Sequence, residues 1–274
     1  MNLKYSKFLE EISRNIRKNV IKMTAHVGGG HYSSSLCCVD ILTSLYFSEM
    51  NIDPNNPSDP DRDRFILSKG HAAPGLYATL AEKGYFHPDE LFTLRQLNSR
   101  LQGHPVKSYN LPGLDSSSGS LGQGISVAVG IALAGKMNNK KYRVFVLLGD
   151  GECQEGQVWE AAMSAAHYEL DNLVVIIDNN KLQSTGSIAD IMSLGDIGSC
   201  WSSLGWNIIE INGHNFDELL HAYKFANESK NKPALVIANT IKGCGIPFIE
   251  GKTEYHTMPL TEEELEKGIL YLEE

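Results

Sequence analysis

The chain's 274 residues are enough for one large hydrophobic core, and 42% apolar with 21% charged residues is ordinary for a soluble globular protein. A formal net charge of −9 argues against nucleic acid as a main partner, because phosphate backbones need clustered Lys and Arg. The polar start has no apolar segment of a secretory signal, and no run is long enough to cross a bilayer.

Phe8, Ile12, Ile16, Val20 and Met23 recur at three- and four-residue steps and predict an amphipathic opening helix, ended by Gly28-Gly29-Gly30. A second helix is expected over Val39–Phe47, then a loop from Asp53 to Pro60 and a short strand at Phe65–Ser68. Helices follow at about His71–Glu82 and Pro88–Leu97. The stretch Gly103–Gly124, rich in Gly, Pro and Ser, reads as a long loop, and such loops inside compact domains often carry function.

Beyond it the pattern predicts helix Leu121–Gly135, strand Val144–Leu148, helix Gln154–Glu169 and strand Leu173–Asp178. Helix Asp196–Leu204, strand Trp206–Ile211, helix Asn215–Ala226, strand Ala234–Asn239 and helix Thr261–Leu272 complete the chain. Strands spaced by helices imply crossover connections, and the uninterrupted apolar strands suit burial on both faces. The expected fold class is α/β, a parallel sheet with helices on both faces, formed by 1–274 as a single domain. Five cysteines, Cys37, Cys38, Cys153, Cys200 and Cys244, show no metal-type spacing. The expectation is a cytoplasmic protein with reduced thiols that pack in the interior.

The most informative segment runs from Gly149-Asp150-Gly151 to Asp178-Asn179-Asn180-Lys181-Leu182. Asp150 follows one predicted strand and Asn180 closes the next. Neighbouring parallel strands end on the same edge, where open α/β sheets bind ligands, so the two side chains can converge. A carboxylate, an amide oxygen and a backbone carbonyl, for which Leu182 is the candidate, are hard donors that suit Mg²⁺ together with phosphate oxygens. Gly151 leaves room for close approach of the phosphate. A Gly-Asp-Gly triplet alone is an ordinary turn; the Asn-Lys-Leu at strand–helix–strand distance gives it weight.

Among nine histidines, four stand in distinctive settings: His31 after three glycines, His71 in Ser-Lys-Gly-His-Ala, His104 in Gly-His-Pro and His256 in Tyr-His-Thr. Imidazole titrates near neutrality and suits proton movement at carbonyl and hydroxyl oxygens. The other five, His26, His87, His167, His214 and His221, are read as structural or solvated.

The segment from Gly149 to Leu182 resembles the thiamine diphosphate (ThDP) motif of the transketolase family, and the four histidine settings match that family with their flanks. The resemblance extends over about Phe8 to Pro259. It implies the ThDP-binding fold of a diphosphate-binding (PP-type) domain, with Asp150, Asn180 and the Leu182 carbonyl as ligands of Mg²⁺ or another divalent cation. Gly151 lies beside the diphosphate. It also implies that His31, His71 and His104 line a substrate channel, that His256 lies nearer the diphosphate, and that His71 and His256 touch cofactor. Ser34, Lys69, Ser120, Leu121, Gly122 and Lys242 match cofactor contacts, although without the family a lysine is as readily a solvated surface residue. Glu155 matches a carboxylate that bonds the catalytic glutamate of a neighbouring subunit or domain; otherwise it is a charge at a helix N-terminus.

The pyrimidine-binding and C-terminal domains of full-length members have no counterpart in the sequence. The resemblance therefore implies a partner subunit carrying the pyrimidine-binding domain and the catalytic Glu, assembled as a dimer of heterodimers. The activity it implies is transfer of a two-carbon ketol group between a ketose and an aldose, both expected to be phosphates. The alternatives are a related ThDP subunit that decarboxylates a 2-oxo acid or serves a specialised sugar pathway, and a non-catalytic paralogue. Tyr32 departs from the family pattern and is expected to narrow the donor pocket.

Overall fold

The computed structural model describes residues 3–273. Helix α1 (Leu3–His26) is followed by α2 (Tyr32–Leu36) and α3 (Val39–Ser44), which runs into a π turn at Leu45–Glu49. Strand β1 (Arg64–Leu67), a 3₁₀ turn at Gly70–Ala72 and α4 (Ala73–Lys83) come next. After the long loop lie α5 (Gln123–Met137), β2 (Val144–Gly149), α6 (Gly156–His167) and β3 (Leu173–Asn179). Then follow α7 (Ile188–Ile191), α8 (Ile197–Ser203), β4 (Asn207–Asn212), α9 (Phe216–Glu228), β5 (Ala234–Asn239) and α10 (Glu262–Tyr271).

The strands form one parallel sheet in the order β1-β2-β3-β5-β4. Alternate residues of the central strands feed two separate cores. Phe65, Phe145, Leu147, Val174, Ile176 and Val236 face α1, α3, α4 and α9, while Ile66, Val146, Leu148, Val175, Ile177 and Leu235 face α5, α6 and α8. Each fully buried Leu, Ile or Val contributes about 1.5–3 kcal/mol relative to exposure, so this double burial is the main reason the sheet holds. The expected α/β architecture is the one observed. In register, Gly149 pairs with Asp178 and Asp178 with Ala238, so β2, β3 and β5 end level on one edge.

Boundaries differ where local chemistry overrides periodicity. The helix expected at Pro88–Leu97 is a 3₁₀ turn at Pro88–Thr93, because Arg95 (φ 60°) and Asn98 (φ 66°) turn left-handed and end it. Helix α5 starts at Gln123 instead of Leu121, since Gly122 holds φ 80°. Helices α2 and α7, of five and four residues, are too short to give a periodic signal. The interior role expected of all five cysteines holds for Cys37, Cys38 and Cys153; Cys200 is exposed and Cys244 partly so. No helix among the described residues is long and apolar enough to cross a membrane.

Candidate functional site

The level ends of β2 and β3 bring Asp150 and Asn180 to one cavity of about 330 Å³. Asp150 Oδ1 accepts from the Gly151 amide at 2.8 Å, and Oδ2 accepts from the amide of Lys181, the residue after Asn180, at 2.5 Å. The carboxylate thus bridges the two strand ends. Lys181 holds φ 63°, a left-handed conformation uncommon for a residue with a side chain, and the turn it makes lets Asn180 and Leu182 line the same cavity. Asn180 Oδ1 accepts from the Leu182 amide at 3.1 Å. Burial, and then the nearby charge of Asp178, pushes the Asp150 carboxyl up to about 7. A cation placed here would offset that cost.

Asp178, which the strand pattern marks only as the last residue of its run, anchors this end. It is fully buried and accepts from the Lys69 ammonium, from the Thr240 hydroxyl, from Cys37 Sγ at 2.8 Å and from Asn180 Nδ2 at 3.2 Å. Burial alone would raise its carboxyl, but the Lys69 charge and these hydrogen bonds hold it below the ordinary range. Lys69, 1% exposed, also donates to the Ser34 carbonyl at 3.0 Å. It lines the cavity, yet its ammonium is committed to Asp178.

A third buried carboxylate, Glu152, carries no signal in the sequence. It accepts from the Ser68 hydroxyl, from the Gly122 amide at 2.8 Å and from the Gly149 amide at 3.0 Å. It therefore ties the glycine-rich turn at 119–124 to the end of β2. The close approach of Gly70 to the same turn reinforces this, since a Cβ there would lie 2.7 Å from the Gly119 amide. Of the three residues expected to touch cofactor from this turn, Leu121 lines the cavity. Ser120 and Gly122 do not: Ser120 is exposed, and the Gly122 amide is spent on Glu152. Glu155 is exposed on the cavity rim at the start of α6, where its side chain caps no helix amide.

The histidines gather across the cavity. The His31 ring lies 5.4 Å from His71, 5.0 Å from His256 and 6.4 Å from His104, and His71 lies 5.9 Å from His256. His31, His71 and His256 belong to the cavity lining, whereas His104 stays outside it and touches the cluster through His31. Burial lowers His71 to about 2 and His31 and His256 to about 4, helped by Lys69 at His71, Arg95 at His31 and Lys242 at His256. Burial and Arg95 lower His104 as well. At neutral pH these rings are neutral, able to accept a proton or donate a hydrogen bond. Ser34 Oγ and His256 Nδ1 are 3.3 Å apart. Tyr32 does not narrow the cavity: its buried hydroxyl donates to the Met258 carbonyl at 2.7 Å and fixes the segment carrying His256.

The lining fits a metal–diphosphate group joined to an organic ring. Asp150 and Asn180 offer hard oxygen donors of the kind that suit Mg²⁺, and Lys242 Nζ, which donates to the Gln183 carbonyl at 3.1 Å, adds positive charge. Gly151 leaves a cradle that a Cβ would fill, coming 3.0 Å from Gln183, and His31 Nδ1 is buried without a hydrogen-bond partner.

A family model described as "Transketolase, thiamine diphosphate binding domain" matches residues 9–269. The chain is 39% identical to one subunit of the apulose-4-phosphate transketolase of Phocaeicola vulgatus, over 95% of this chain and 92% of that protein. It is 43% identical to the 6-deoxy-6-sulfo-D-fructose transketolase subunit SqwG of a Clostridium species, over 97% and 96%. Among solved structures, transketolase from Campylobacter jejuni superposes with a TM-score of 0.92 at 31% identity, covering all of this chain and 43% of that one. The chain thus spans about two-fifths of the solved transketolases and nearly the whole of the separate subunits. On sequence and fold together, the chain belongs to the transketolase family and corresponds to its thiamine diphosphate-binding N-terminal part.

Proposed function

We propose that the chain is the diphosphate-binding subunit, a single domain, of a two-chain transketolase that moves a two-carbon ketol group from a ketose to an aldose. The observation that carries the reading is one cavity joining the Asp150–Asn180 strand ends to three mutually close imidazoles. ThDP, when bound, supplies the thiazolium that makes cleavage of a carbon–carbon bond beside a carbonyl accessible. Asp150, Asn180 and the Leu182 carbonyl would hold Mg²⁺, with Gly151 beside the diphosphate. Lys242, His256, Ser34, Leu121 and Lys69 complete the cofactor's surroundings.

His31, His71 and His104 act on the sugar. Kept neutral by burial, each can donate a hydrogen bond to a carbonyl or hydroxyl oxygen, or take its proton, at physiological pH. The partner subunit supplies the pyrimidine-binding domain and a catalytic Glu that meets Glu155, whose exposure on the rim suits such a contact. The assembly is a dimer of heterodimers in the cytoplasm. Both similar subunits are named for a sugar with an anionic end, one a phosphate and one a sulfonate, which favours an anionic sugar as substrate here.

The test combines the chain with a candidate partner, ThDP and Mg²⁺. A rise in melting temperature that EDTA reverses, together with ketol transfer to an aldose phosphate, is the expected result. Release of CO₂ from a 2-oxo acid without ketol transfer would replace this reading with the decarboxylase one. No thermal shift with any partner would overturn both.

A further inference from the structure

Lys242 lies in the turn after β5, and the residues around it in sequence are held by a hydrogen-bonded network outside the cavity, whose Arg17–Asp40 end is buried. The Ile241 amide donates to His214 Nε2 at 2.8 Å. His214 Nδ1 and Asp40 Oδ2 are 2.8 Å apart, and Arg17 grips both Asp40 oxygens, at 2.9 and 2.6 Å. Arg17 Nε then reaches past Lys242 to the Cys244 carbonyl at 3.2 Å. The Gly243 amide, within the turn, donates to the Ser33 carbonyl at 3.0 Å.

Because an amide N–H points at Nε2, that nitrogen presents its lone pair; the ring proton is therefore on Nδ1 and is donated to Asp40. Arg17 and Asp40 are each 5% exposed, so the arrangement is rigid and its charges are matched. Asp40, His214 and Cys244 come close enough to share one ion, but Arg17 already occupies both carboxylate oxygens, which makes a cation there unfavourable.

We infer that Arg17, Asp40 and His214 are positioning residues for Lys242: they fix the Ile241–Cys244 turn from α1, α3 and the β4–α9 connection, and so aim the ammonium into the cofactor cavity. This rests on the proposed function, since it takes Lys242 to face bound ThDP. The network recruits the opening helix to the site, although α1 itself supplies no residue to the cavity lining.

The experiment measures ThDP affinity at saturating Mg²⁺ for the chain with its partner, alongside amide exchange of the segment 241–252. His214→Ala is expected to weaken ThDP about tenfold and to speed exchange in that segment selectively. His214→Gln, whose oxygen can accept from Ile241 while its amide donates to Asp40, is expected to restore affinity to within about threefold. Lys242→Ala is expected to weaken ThDP by a similar factor, and adding His214→Ala to it to cost less than about twofold more, because the two act through one contact. Leu219→Ala, a core change in α9, serves as a control that lowers the melting temperature without altering ThDP affinity. If His214→Ala behaves like that control, or if its effect multiplies with that of Lys242→Ala, the inference is wrong. Should the unmutated complex fail to bind ThDP, the functional reading itself falls, a result separable from normal binding by both parent and His214→Ala.

Discussion

On the strand-end side of the cavity, Asp178, Glu152 and Asp150 each meet donors from the chain itself, whereas on the other side imidazoles face one another and His31 Nδ1 has no partner. The first region is a hydrogen-bonded scaffold: each carboxylate accepts from donors of the chain itself, so the Asp150–Asn180 pair is held before any ligand arrives, while the Asp150 charge is left for a cation to offset. The second is a set of neutral, adjustable proton carriers whose hydrogen-bonding capacity is left for a substrate. Stability is expected to reside in the first region and turnover in the second.

The sharpest way to break that division is Asp178→Ala. It strands the Lys69 ammonium in a site of 1% exposure, and loss of one partner of a buried ion pair costs about 3–5 kcal/mol. Chemical denaturation of the isolated chain measures it; a loss near zero would mean that Lys69 finds another partner. His31→Gln and His71→Gln test the opposite region. Each is expected to lower ketol transfer by the complex about 10²-fold with little change in the denaturation midpoint. A destabilisation as large as that of Asp178→Ala would erase the contrast.

Glu152→Gln sharpens the comparison at the glycine-rich turn. The amide group cannot accept from all of Ser68, Gly122 and Gly149, and an unsatisfied buried group costs about 1–3 kcal/mol. The smallest effect concerns pH. His71, His31 and His256 are held in the folded chain at about 2, 4 and 4, below their unfolded value. Between those values and about 6.5 the unfolded state binds more protons, so folding stability is complete above pH 6.5 and declines as pH falls. Each group contributes at most about 1.4 kcal/mol per pH unit. In the cofactor-free chain, His71→Gln should flatten the decline between pH 6.5 and 5; an unchanged slope would show that the ring is not desolvated.

Much of the site is legible without the fold. Asp150 and Asn180 stand out because each ends an apolar strand and parallel strands end together; in the observed register Gly149 lies opposite Asp178 and the two ends are level. His31 and His71 are marked by their glycine and lysine neighbours and His256 by its match to the family, and the fold brings the three within 6 Å of one another. The structural role of His214 is not specific in the sequence, because its partners lie in segments far apart along the chain. Tyr32 is expected to narrow the donor pocket because it departs from the family pattern, but its hydroxyl donates to a carbonyl 226 residues away.

The sequence by itself determined the alternation of strand and helix, the parallel sheet, and the placement of Asp150 and Asn180 at its edge. These follow from apolar periodicity and from residue types fixed relative to the backbone a few positions away. Tertiary structure alone decided which buried charges find partners, as with Lys69 and Asp178, Glu152 and its three hydrogen-bond donors, and Asp40 with Arg17 and His214. Long-range pairing and desolvation set those properties, and both depend on what the fold buries together, which no local pattern encodes.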